Sequence, residues 1–379
     1  MNERRVDLDW LRVIVFAILI FYHIGMLYVA DWGYHFKSQY NSEFLQNIML
    51  LVNRWRLSIL FLISGIAIRY YLQKVSLLKF ASMRSLRLLV PLIFAVLVII
   101  PPQLYVEMID KGDLVNVSYL EFYKAFFDLN HPMFEKYQSG ILPHMDVNHM
   151  WYVRELWWFS IYLIVLSPVL NSRFIQTMVD FLGNTESPFR LFLIPVVLLS
   201  VLAYFVFPSD SEGYRISMGF SFIIVGYLLG WNENLWNLIK LHRRLFLYCA
   251  IVTYFMLIAY YQLVWKQREV AITGLPLFFE TLFSYFNRWS WILMILGYGS
   301  QYLSKPNKWI NYLNQGVYPY YILHQSVLIV LAYWFSDYAL GGFFEPLFVI
   351  FGTIIVCAIG FEIIRRFKVL RLLFGLKIK

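Results

Sequence analysis

The chain has 379 residues, 60% of them apolar and only 15% charged. A soluble domain carries about a quarter charged residues and just under half apolar ones, so an ordinary soluble globule is excluded. Aromatic residues reach 20%, and Trp and Tyr in such number match the two membrane–water interfaces; the net charge of +9 is therefore a question of membrane topology before it is one of nucleic acid.

A spanning helix needs about 20 mostly apolar residues. Ten segments qualify: 10–30, 46–71, 85–107, 150–170, 190–207, 214–231, 244–265, 275–301, 313–335 and 343–364. The fold class expected is all-α, a polytopic membrane helix bundle forming a single domain over 1–379. The N-terminal run is too long for a signal-peptide core and lacks a small-residue cleavage site, so it reads as a retained helix. Cys249 and Cys357 lie in apolar runs and read as packing residues. No Cys/His spacing points to zinc, and no metal is expected.

Taken in chain order, the spans carry polar residues that a bilayer penalises. In the first, Arg12 and His23 are 11 residues apart. That spacing is about 1,100° of rotation, so they share a face to within about 20° and lie about 16 Å apart along the axis. The second opens with Asn53-Arg54-Trp55-Arg56, where Arg54 and Arg56 read equally as interfacial anchors or as anion ligands. It continues through Phe61-Leu62-Ile63-Ser64-Gly65, where small residues permit close helix approach. The third begins with Arg84 and Arg87, one turn apart and followed by Pro91; the pair is either a basic anchor or a phosphate clamp.

The connection 110–148 is the longest, with a short amphipathic helix expected around Tyr119–Phe127. In the span that follows, Asn148, Trp151, Tyr152 and Glu155 recur at i, i+3, i+4, i+7 and form one face, with His149 and Arg154 off it. A polar, aromatic stripe of this kind fits a sugar-like substrate, or an interfacial belt with one functional carboxylate. The ninth span holds Tyr320 and His324 one turn apart after Pro319, and His324 reads either as a core histidine or as a functional one.

Orientation follows from Lys and Arg in the short connections. With these spans, 19 basic residues fall on the side of the termini, from Arg4 and Arg5 to Lys377 and Lys379, and 7 on the other. The acids Asp110, Asp113, Glu121, Asp128, Glu135 and Asp146 cluster in the opposite-side 110–148 connection. Both termini are expected to be cytoplasmic. The layout is two-ended: Arg12, Arg84 and Arg87 at the inner face, with His23, Arg54, Arg56, Glu155 and His324 in the outer half.

In these motifs the chain resembles the inner-membrane acyltransferases of acyltransferase family 3 over nearly its whole length. The resemblance rests on Arg12…His23, on Phe61–Gly65, on Arg84-x-x-Arg87 with Pro91, on His149-Met150-Trp151-Tyr152 and on Pro319 to His324. Within the family it is most similar to the glucan biosynthesis protein C branch, by His23-Ile24-Gly25…Tyr28, the Arg-rich second span and the long connection before His149. The resemblance implies a multi-pass protein of the bacterial inner membrane that moves a succinyl or acetyl group from cytoplasmic acyl-CoA to a glycan hydroxyl outside.

Under that implication Arg84 and Arg87, with Arg12, bind CoA phosphates, and His23 is general base or transient acyl carrier. Glu155 orients His23 or holds the acceptor. Arg54 or Arg56 meets the oxyanion or a succinyl carboxylate, and Asn148, His149, Trp151, Tyr152, Tyr320 and His324 line the acceptor site. The expected partners are the glycan, acyl-CoA and membrane lipid, with no nucleic acid and no permanently bound cofactor; a homo-oligomer is compatible. The competing reading is a transporter or flippase of a glycan or organic anion. Internal repeats often mark transporters, and none is evident.

Overall fold

The computed structural model describes residues 5–377; Arg4 and Lys379, counted among the basic residues above, lie outside them. Among the described residues the chain is helical, with no extended pairing beyond the isolated bridges Val29–Ser42 and Leu142–Met145. The first half contains α1 (Val6–Tyr28), α2 (Glu43–Asn53), α3 (Arg56–Leu72), α4 (Leu77–Phe94), α5 (Pro101–Asp110), α6 (Tyr119–Ala125) and α7 (Trp151–Leu170). It continues with α8 (Arg173–Gly183), α9 (Phe189–Phe205), α10 (Ser211–Leu229), α11 (Glu233–Leu241), α12 (Arg243–Tyr260), α13 (Gly274–Tyr302), α14 (Lys308–Ser336), α15 (Gly341–Ile364) and α16 (Lys368–Leu373).

All ten apolar segments expected from the sequence are helical. Six helical stretches are long and apolar enough to cross a bilayer, or seven if α10 and α11, bent by 105°, count as one. The chain is thus a multi-pass helical membrane protein. Three expected segments fall outside that set: α9, with 17 residues, α13, which carries Glu280 and Arg288, and α14, which carries Asn314, Gln315, His324 and Gln325.

The structure departs from a set of straight rods in three places. The second expected span breaks at Arg54-Trp55, between α2 and α3. The third contains a π-helical turn, Ala95–Ile99, followed by Pro101 and Pro102 at the start of α5; a π turn frees carbonyls from the helical ladder. The short helices α8 and α11 join spans, each started by a side-chain cap from Ser172 or Asn232. The expected amphipathic helix in the long connection is α6, whose Ser118 and Glu121 form a reciprocal capping box.

The chain forms two compact units. One comprises 1–15, 50–80 and 159–310. Its tightest seam is α3 against α10, where Gly65 and Gly226 replace side chains with backbone: a Cβ on either would stand 2.0 Å from a carbonyl oxygen of the other helix. Phe61 packs its ring against that of Phe159, tilted by 57° at 5.3 Å between centroids. The other unit comprises 16–49, 81–158 and 311–379, and its core packs Ile24, Leu27, Tyr28 and Phe36 with Val106, Leu328, Ile329, Ala332 and Val349. In it the chain after α16 turns back at Gly375 (φ +66°), tight against Tyr318 and the carbonyl of Arg87.

Candidate active site

The second unit brings together histidines far apart in sequence. His23 Nδ1 lies 2.7 Å from His324 Nε2, although 301 residues separate them, and the two rings are nearly parallel. His324 Nδ1 lies 2.7 Å from the carbonyl oxygen of Tyr321, one turn earlier on α14. A carbonyl only accepts, so in neutral His324 the proton sits on Nδ1 and Nε2 offers a lone pair. His23 Nδ1–H then donates to that lone pair, which places the basic lone pair of His23 on Nε2. Each proton position follows from one fixed acceptor on the α14 backbone.

His149 completes the cluster, its ring edge-on to His324 at 5.3 Å between centroids. Its Nε2 is 3.1 Å from the carbonyl of Ile322 and its Nδ1 3.3 Å from Nε2 of Gln103, so the same logic puts its proton on Nε2. Gln103 is fully buried, and both ends of its amide are used. The NH2 group donates to Ser326 Oγ at 2.7 Å and to His149, while the oxygen accepts from Gln325 at 3.1 Å and from Asn148 at 3.3 Å. Ser326 Oγ in turn donates to the carbonyl of Ile99 in the π turn. Tyr321 Oη donates to the backbone carbonyl of His149, and its ring packs against Phe16 and Tyr152. A buried polar network that is satisfied throughout fixes one arrangement of its members.

The remaining expected site residues are placed as follows. Glu155 is buried and accepts from Arg154 Nε at 2.8 Å, so its observed partner is its chain neighbour. Trp151 opens α7 and is half-buried. Tyr320 points towards the ring of Phe361; the tyrosine that meets the histidines is Tyr321. Arg84 and Arg87 lie one turn apart on α4, and Arg87 Nε donates to the carbonyl of Gly375 at 3.1 Å. Arg12, on α1, belongs to the first unit, as do Arg54 and Arg56. Arg54 donates to Ser284 Oγ at 3.3 Å, and Arg56 to the Asn53 side chain at 2.7 Å and its carbonyl at 3.1 Å. Among the described residues no group of His, Cys, Asp or Glu is arranged to hold a metal ion.

A family model described as an acyltransferase domain, that of acyltransferase family 3, matches residues 5–363. The chain belongs to that family. No curated protein and no solved structure matches it. As a family 3 member it is a membrane acyltransferase, so this histidine cluster stands in an enzyme whose chemistry is acyl transfer. That reaction needs a base for the acceptor's proton and a way to hold the charge the base acquires. The pair suits that need: a proton taken on Nε2 of His23 would leave a cationic ring whose Nδ1–H bond to His324 is stronger than the neutral one.

Proposed function

We propose that this enzyme is an O-acyltransferase moving a succinyl or acetyl group from acyl-CoA at the cytoplasmic face to a glycan hydroxyl at the outer face of a bacterial inner membrane. The reading takes ten spans with both termini cytoplasmic, and a glucan as acceptor, as in the glucan biosynthesis protein C branch that the sequence resembles. The observation that carries it is the His23–His324 pair tied to the Tyr321 carbonyl.

His23 Nε2 removes the acceptor hydroxyl's proton as the oxygen attacks the thioester carbonyl. The C–S bond breaks, the acyl group stays on the acceptor oxygen, and the proton passes from His23 to the departing CoA sulfur. Glu155, held by Arg154, is assigned to the acceptor together with Asn148, Trp151 and Tyr152. His149 positions His324 and α7. Arg84 and Arg87, with Arg12, are assigned to the CoA phosphates, and Arg54 or Arg56 to a carboxylate or developing oxyanion on the acyl group.

The test is transfer of labelled acyl groups from acetyl-CoA and succinyl-CoA to glucan by the purified protein in lipid vesicles, with His23→Ala alongside. Label on glucan in the wild type, reduced by about 10²–10⁴-fold in His23→Ala, is the expected result. A folded His23→Ala protein with wild-type transfer would rule out the proposed role of His23.

A further inference from the structure

The first unit holds a second concentration of charge: Arg288, which the transfer chemistry above leaves unassigned, beside Arg54, which that chemistry gives to the acyl group. Arg288 is the midpoint residue of α13, 14 residues from either end, or about 21 Å from each. It is only 6% exposed. Its Nε donates to the backbone carbonyl of Arg54 at 2.6 Å, at the break between α2 and α3 where the helical ladder is interrupted. The Arg54 guanidinium reaches Ser284, one turn before Arg288 on α13, and the two guanidinium groups repel each other.

Two donors here point at nothing: Arg288 Nη1 and Arg54 Nε are both buried without a hydrogen-bond partner. Tyr285 stands beside them, its ring 4.7 Å from the Arg288 guanidinium carbon, and its hydroxyl accepts from Tyr214 at 3.2 Å. The acid within reach, Glu280, is already engaged by Arg268 at 3.3 Å and by Tyr260 Oη at 2.8 Å. The region therefore holds one buried cation, Arg288, and one half-buried cation, Arg54, with no carboxylate among the described residues bonded to either.

A buried charge is retained at a large cost unless something compensates it. We propose that Arg54 and Arg288 form a binding site for an oxyanion, a carboxylate or phosphate group of a ligand, received by Arg288 Nη1 and Arg54 Nε. Planar guanidinium donors match the oxygens of such groups, and the Tyr214–Tyr285 pair adds hydroxyls at the rim. Arg288 is buried halfway along α13, so the ligand is one that enters the protein between helices.

The proposal stands apart from the transfer assay, because it is read as binding. Thermal unfolding of the detergent-solubilised full chain is followed while sodium succinate or inorganic phosphate replaces chloride at constant ionic strength, with neutral succinamide as control. The wild type should be stabilised saturably by at least one anion and not by succinamide. Arg288→Gln should weaken that response by about ten-fold or more, the loss expected for a hydrogen bond to a charged group. A response to succinate identifies the group as a carboxylate, and a response to phosphate alone identifies it as a phosphate; either supports the site. Should Arg288→Gln fail to fold, Arg54→Gln carries the same test. Cooperative unfolding with no saturable anion effect in the wild type, or an undiminished effect in the folded variant, would overturn it.

Discussion

In the proposed mechanism His324 acts through His23, so its substitution should separate positioning from packing. Leucine at 324 removes the acceptor for His23 Nδ1–H, whereas glutamine keeps a carbonyl oxygen that can accept it. His324→Leu is expected to lower kcat by about 10²-fold or more with the KM for acyl-CoA nearly unchanged, and His324→Gln to recover part of the loss. Equal activity in the two variants would make His324 a packing residue. Both histidines were visible in the sequence as ionisable groups inside apolar runs, but their meeting was not, since nothing local links residues 301 apart. His149 was placed off the functional face because a regular helix was assumed from 148 onward. The chain there is a 3₁₀ turn with Asn148 at φ +42°, which re-aims the ring into the cluster. Gln103 and Arg288 carried the same signal as His23, a polar residue within an apolar stretch, and were passed over.

Among the elements, helix existence followed from apolar runs of membrane length, and the breaks did not. The interruption at Arg54-Trp55 lies between two apolar stretches that read as one, and the bond from Arg288 to the Arg54 carbonyl compensates a backbone group the helix no longer serves. The small residues of Phe61–Gly65 did foretell a close approach. Gly226→Ala should cost at least the ~1–3 kcal/mol of overpacking, because its Cβ would meet the Leu62 carbonyl on α3; a thermal midpoint equal to wild type would contradict that packing. In the connection before α7, Lys136 and Tyr137 both donate to Asp113. Those bonds hold its carboxyl below the ordinary value of 3.8. A depressed carboxyl stabilises the folded connection above the ordinary pKa and loses that contribution as pH falls through the folded one. Proteolysis of this connection should therefore rise on acidification below about pH 4, and Asp113→Asn should remove that step from the pH profile. An identical profile in the variant would assign the acid sensitivity elsewhere.

At the scale of the whole molecule, the charge bias of 19 basic residues against 7 is an expectation about which connections share a side, and the composition alone marks a membrane protein. The two units were not legible, since each is assembled from three separated stretches of chain and several helices contribute to both. Acyl transfer across the membrane by way of His23 is checked by giving labelled acyl-CoA to one face of oriented vesicles carrying glucan at the other, with wild-type and His23→Ala protein side by side. Transfer through His23 should put label on the glucan only when the donor meets the face that bears the termini, and only with His23 present. Label appearing equally from either face, or undiminished in His23→Ala, would contradict it.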